Sequence, residues 1–199
     1  LIKNKFTIIV FLSAVFSVLV SYFYIGYTSQ LGSDATEFHE AATYLSGGGE
    51  ISKDALINRV ITSPFFLYFS IVLNYFFNDF RISFLLINLL FYFLTTLSFY
   101  FLALKIYKDK KIALLASILV IFNFYIIDPG NFHLADTGGW FFFILSTLLA
   151  IKYINSSSNR FYYLSVIIAN VGVFFKEYGG LGLMNLALLI LISDFPRKQ

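Results

Sequence analysis

The chain has 199 residues, of which 59% are hydrophobic and only 13% charged, with a net charge of +3. Soluble domains carry roughly 25% charged residues, so the composition excludes an ordinary soluble fold and points to an integral membrane protein. The absence of cysteine excludes disulfides, thiolate metal sites and cysteine nucleophiles, and the scattered basic residues form no stripe that would read nucleic acid.

In chain order, the first apolar run is Phe6 to Tyr27, 22 residues behind Lys3 and Lys5. It exceeds the ~7–15-residue core of a signal peptide and is read as a retained helix. A long outer loop follows, residues 28–81, polar from Thr28 to Ser63. Within it, Ala35, Phe38, Ala41, Ala42 and Leu45 recur at helical spacing, with Asp34, Glu37 and Glu40 on the wetter side. The stretch from Gly32 to Leu45 therefore predicts an amphipathic helix lying on the membrane and stopped by Gly47, Gly48 and Gly49. Pro64 to Phe77 is apolar over only 14 residues, a length suited to an interfacial or re-entrant segment. Further runs are Ile82 to Leu104, Ile112 to Ile127, Leu134 to Ile151, Phe161 to Phe175 and Gly179 to Ile192. The expectation is an all-α, polytopic membrane bundle of about six crossings in a single module over residues 1–199, with an amphipathic juxtamembrane region on its outer face.

Sidedness follows from counting bases. With Pro64 to Phe77 kept outside and the amino terminus inside, ten Lys and Arg fall inside and only Lys53, Arg59, Arg81 and Lys176 outside. Seven spans with the amino terminus outside give the same ratio, but strand Lys3 and Lys5 outside the first helix and demand a crossing from 14 residues. In the preferred arrangement nine of the eleven acids lie outside, which places the polar chemistry there.

Three outer segments carry candidate groups, each with a structural alternative. Asp34 and Glu37 match a capping pattern at a helix start as well as a catalytic acid and its neighbour. Asp128-Pro129-Gly130 is a turn signal, while Asp136 stands at the mouth of a helix as an N-cap or as a carboxylate held for function. Lys176 and Glu177 interrupt apolar sequence on both sides, and so either mark the water boundary as a pair or serve a site. His39 and His133, with Asp34, Glu37 and Asp136, offer ligands on two loops for a divalent metal, a cofactor that the residues permit without requiring.

Taken in order, these loops resemble the amino-terminal transmembrane module of GT-C glycosyltransferases, membrane enzymes that take sugar from a polyprenyl-phosphate carrier. The likeness is nearest to bacterial relatives of protein O-mannosyltransferases and lipid A aminoarabinose transferases. Four features carry it: Gly32-Ser33-Asp34 followed by Phe38, Ala41, Ala42 and Leu45; the proline-aromatic stretch Pro64-Phe65-Phe66-Leu67-Tyr68; Asp136-Thr137; and Lys176-Glu177-Tyr178-Gly179. Family members are longer, so the carboxy-terminal part of the family is expected to be missing from this chain.

The resemblance implies inverting transfer of a sugar from a polyprenyl-phosphate donor to a lipid, glycan or protein acceptor, at the outer face of a bacterial or archaeal cell membrane. In that scheme Asp34 is the general base, its basicity raised by partial burial, and Asp136 shares its cavity. Lys176 faces the leaving phosphate, with Arg59 and Lys53 as weaker candidates, and Glu37 and Tyr178 complete the substrate-binding set. A lipid-binding or assembly subunit without turnover, or an inactive remnant, is the alternative. A small transporter is disfavoured, because charge within the spans is nearly absent.

Overall fold

The structure is a computed structural model that describes residues 5–25, 33–122, 135–156 and 158–194. The described residues are helical: α1 (Lys5–Ile25), α2 (Ser33–Leu45), α3 (Lys53–Thr62), α4 (Pro64–Phe77), α5 (Phe80–Tyr107), α6 (Lys110–Ile121), α7 (Asp136–Ser156), α8 (Asn159–Val173), a 3-10 turn (Glu177–Gly180) and α9 (Leu181–Asp194).

Helix boundaries follow from local chemistry. The Ser52 hydroxyl accepts from the Ala55 amide to start α3, Asp79 Oδ1 accepts from the Arg81 and Ile82 amides to start α5, and Asp109 Oδ1 does the same for Lys111 and Ile112 in α6. α2 stops where Gly47 and Gly49 take positive φ of 91° and 67°, a conformation that costs glycine little. Pro64 opens α4 at a position where its missing N–H is not needed. Asn78 closes that helix in the left-handed region.

Packing is organised around α5. Its first half joins α2, α4, α7 and the turn after α8 in one aromatic-rich core containing Phe38, Phe66, Phe84, Phe91, Phe142 and Phe175. Where such helices meet in lipid, van der Waals packing of the rings holds them together. Its second half packs on α1 and α6 through Val10, Tyr100, Ala103 and Ala113. A buried polar seam ties α5 to α7: the Thr137 hydroxyl donates to Asn88 Oδ1, and the Thr95 hydroxyl donates to the Thr137 carbonyl. The Tyr92 hydroxyl reaches the Ile121 carbonyl of α6 at 2.7 Å. In an apolar interior such bonds keep polar groups from going unpaired.

The helical bundle is as expected, but among the described residues fewer than six helices meet the length and hydropathy of a full crossing. Among the described residues two helices, α5 and α7, are long and apolar enough to cross a membrane, which marks the chain as a membrane protein. A third would require α3 and α4 to act as one span, yet they are bent by 99°. Length accounts for three of the remaining runs: at ~1.5 Å per residue, the 12 residues of α6, 15 of α8 and 14 of α9 fall short of a ~30 Å hydrocarbon core, whereas α1, at 21 residues, is as long as α7. Pro64–Phe77 is a helix with the bounds the apolar run gave.

Candidate functional site

Two polar groups flank the aromatic core. The first joins α2 and α3. Asp34 and Glu37 lie one turn apart on α2, and Arg59 comes from the last turn of α3. Arg59 Nη2 lies 2.7 Å from Asp34 Oδ1 and 2.7 Å from Glu37 Oε2, and its Nε donates to the same Glu37 oxygen at 2.9 Å. The guanidinium carbon sits 4.8 Å from the centre of the Phe38 ring, a cation–π contact beneath the ion pair.

Exposure within this triad is uneven: the Arg59 side chain is 7% exposed, Glu37 35% and Asp34 58%. Burial pushes the Arg59 guanidinium down, and the hydrogen bonds and charges of Glu37 and Asp34 outweigh it, so the net displacement is upward. The cation is thus locked in its charged form, and the acids that local sequence offered to capping are engaged from another helix. Asp34 still stands in the first turn of α2, where a negative charge meets the positive end of the helix.

The second group joins α7 to the turn before α9. The Tyr178 hydroxyl donates to Asp136 Oδ1 at 2.7 Å and to the Asp136 carbonyl at 2.8 Å. Burial, then the charge of Asp136 and its hydrogen bond, then the charge of Glu177 push the Tyr178 phenol well above the usual tyrosine range.

The turn is seated by glycine. A Cβ at Gly139 would lie 2.6 Å from the Tyr178 ring and 2.8 Å from Lys176 Cβ, and one at Gly138 would lie 2.7 Å from the Phe175 ring. Gly179 meets the backbone of Gly172 so closely that a Cβ there would lie 2.5 Å from its carbonyl carbon. Lys176 is therefore held half-buried beside the start of α7.

The groups are linked through the core between them. The Phe65 amide of α4 donates to the Phe174 carbonyl at 3.0 Å, and the rings of the same two residues stack at 5.1 Å. Phe69 stacks on Phe175 at 5.9 Å.

Several expectations change. Asp34, expected as a partly buried base, has a side chain that is mostly exposed and ion-paired with Arg59. Arg59, a weaker phosphate candidate, has its guanidinium committed to two acids, and the Tyr178 hydroxyl is committed to Asp136. Lys176 and Glu177 form no ion pair with each other, whereas Arg59 pairs with both Asp34 and Glu37. Lys53 is exposed at the start of α3. Asp34 and Asp136 belong to separate clusters, each with its own hydrogen-bond partner.

For a metal, the His39 ring packs edge-on against Phe84 at 4.7 Å, and among the described residues no group of three or more His, Asp or Glu converges. His133 and the Asp128-Pro129-Gly130 turn lie outside the described residues. Sequence reasoning missed the glycine notch and the Asn88–Thr137 bond. The paired glycines at 138–139 and 179–180 were the available signal, since small residues in apolar helices let backbones approach. No family model matches the chain, and no curated protein or solved structure is similar to it.

Proposed function

We propose that the chain is a membrane glycosyltransferase, or a module of one, that moves a sugar from a polyprenyl-phosphate donor to a lipid, glycan or protein acceptor at the outer membrane face. The observation that supports this reading best is that Phe38, Ala135 and Phe175, which stand within a helical turn of Asp34, Asp136 and Lys176 along the chain, share one core although they come from three distant stretches of sequence. In the reaction, Asp34 takes the proton of the acceptor hydroxyl as the oxygen attacks the anomeric carbon. The bond from that carbon to the phosphate oxygen breaks with inversion, and Lys176 stabilises the phosphate that leaves. Arg59 positions Asp34 through their ion pair, and Tyr178 positions Asp136, which orients the acceptor. The arrangement of six crossings, with the amino terminus cytoplasmic and α2 to α4 on the outer surface, belongs to the same proposal.

The test uses membranes containing the protein and radiolabelled polyprenyl-phosphate sugars. Asp34→Asn is expected to insert and fold but to lose transfer by about 10²–10⁴-fold. Transfer at the unsubstituted rate by this variant would remove the assignment. A second reading, a lipid-binding or assembly subunit without turnover, draws on one observation: Arg59 already satisfies Asp34 and Glu37, as a purely structural clamp would. It predicts no transfer from any donor, together with loss of folding on Arg59→Ala.

A further inference from the structure

The end of α5 farthest from α2 and α4 has an unusual charge. Lys105, Lys108, Lys110 and Lys111 fall within seven residues there, and all four are exposed. With Asp109 the local charge is four minus one, or +3, equal to that of the whole chain. Asp109 does not pair with these lysines: its Oδ1 accepts from the Lys111 amide at 2.6 Å and the Ile112 amide at 3.3 Å, so its charge is turned to the start of α6. The helices are joined by only two residues, and Lys108 turns the chain at φ 56°, which spreads the lysines around a tight hairpin tip.

The lysines interleave with exposed apolar side chains. Ile106 is 54% exposed and Tyr107 59%, and Ile112 and Leu115 continue the apolar collar onto α6. The collar extends along the last turns of α5 to exposed Phe101, and α5 is among the described helices fit to cross a membrane. A cation whose stem lies on apolar surface, beside an interfacial tyrosine and at the end of a spanning helix, stands at headgroup depth.

We propose that this hairpin tip binds the headgroups of anionic phospholipids in the leaflet that it reaches. Charge complementarity argues for an anion, and the collar argues for an anion carried on a lipid rather than one free in water. Clusters of four or more basic residues beside a spanning helix attract anionic lipid in proportion to their number. The binding is independent of any sugar transfer, so either idea can fail alone.

The test reconstitutes the whole chain in nanodiscs of equal parts phosphatidylcholine and phosphatidylglycerol, and reads by native mass spectrometry which lipids stay bound. Phosphatidylglycerol is expected to be enriched. Replacing all four lysines with glutamine is expected to lower its retention relative to phosphatidylcholine about tenfold, and added salt to weaken it. Arg81→Gln, at the opposite end of α5, is expected to leave the preference unchanged.

If the quadruple variant fails to insert, K105Q/K108Q and K110Q/K111Q are compared instead, each losing part of the enrichment. An unchanged lipid preference in these variants, or no preference in the unsubstituted protein, overturns the proposal. So does tight binding of a soluble polyanion, such as a short RNA, without any preference between lipids.

Discussion

Arg59 shows why residue-level chemistry resists reading from sequence. Its two acids precede it by 25 and 22 positions, and nothing in the spacing announces that they will meet it. The acids themselves were legible as a pair one helical turn apart, whereas their partner depended on how α3 folds back over α2. Removing the guanidinium leaves two carboxylates facing each other and uncovers Phe38. Arg59→Ala is expected to lower stability by about 1–3 kcal/mol, less than for a fully buried pair because Asp34 and Glu37 are partly solvated. A thermal unfolding series in detergent checks this. Arg59→Lys should recover only part of the loss, because an ammonium cannot reproduce the forked contacts. Tyr178 gives a second prediction. Its phenol is held well above the usual range, so Tyr178→Phe should leave the absorbance change on titration through about pH 10–11 the same as in the unsubstituted protein.

At the level of elements, helix positions were largely readable and helix contacts were not. The alternation of Ala35, Phe38, Ala41 and Ala42 identified the buried face of α2, and all four are buried. Pro64 and the length of the run behind it identified α4 as an element unlike the spans, and it turns 99° from α3. Nothing comparable in the pattern indicated which helices approach most closely. That depended on missing side chains: Gly138, Gly139, Gly172 and Gly179 let the turn after α8 sit against α7 and α8. Gly179→Ala is expected to cost about 1–3 kcal/mol, since the added methyl meets backbone that has no rotamer to change. Gly139→Ala meets the Tyr178 ring and the Lys176 stem, so it should displace the turn at smaller cost in stability. Under the proposed function it should reduce sugar transfer more than Gly179→Ala does per unit of stability lost; parallel melting and transfer assays on the two variants decide this.

For the whole molecule, composition alone established a membrane protein, and among the described residues apolar run length overstated how many helices meet the length and hydropathy of a full span. Runs were counted without regard to where a helix would end, and the runs that gave α6, α8 and α9 yield helices of 12, 15 and 14 residues. Short helices of this kind need neighbours or a thinned bilayer around them. The proposed sidedness has a direct test, because the chain has no cysteine of its own. Single cysteines at exposed Asn58 and Lys108 should differ in labelling by a membrane-impermeant thiol reagent on intact cells. Asn58→Cys is expected to react and Lys108→Cys to stay protected. Equal labelling of both would contradict the arrangement.

The backbone bond from Phe65 to Phe174 has a mechanical meaning. α4 is otherwise held by side chains on one face, while Tyr68, Val72, Tyr75 and Phe76 project from it uncovered. A force that tilts or lifts this helix pulls on its first free amide, and through that on the peptide two residues before Lys176. The stacked rings of Phe65 and Phe174 stiffen the link. A displacement of α4 would therefore be carried by a backbone bond, and not only by side-chain packing, to the residue two before Lys176.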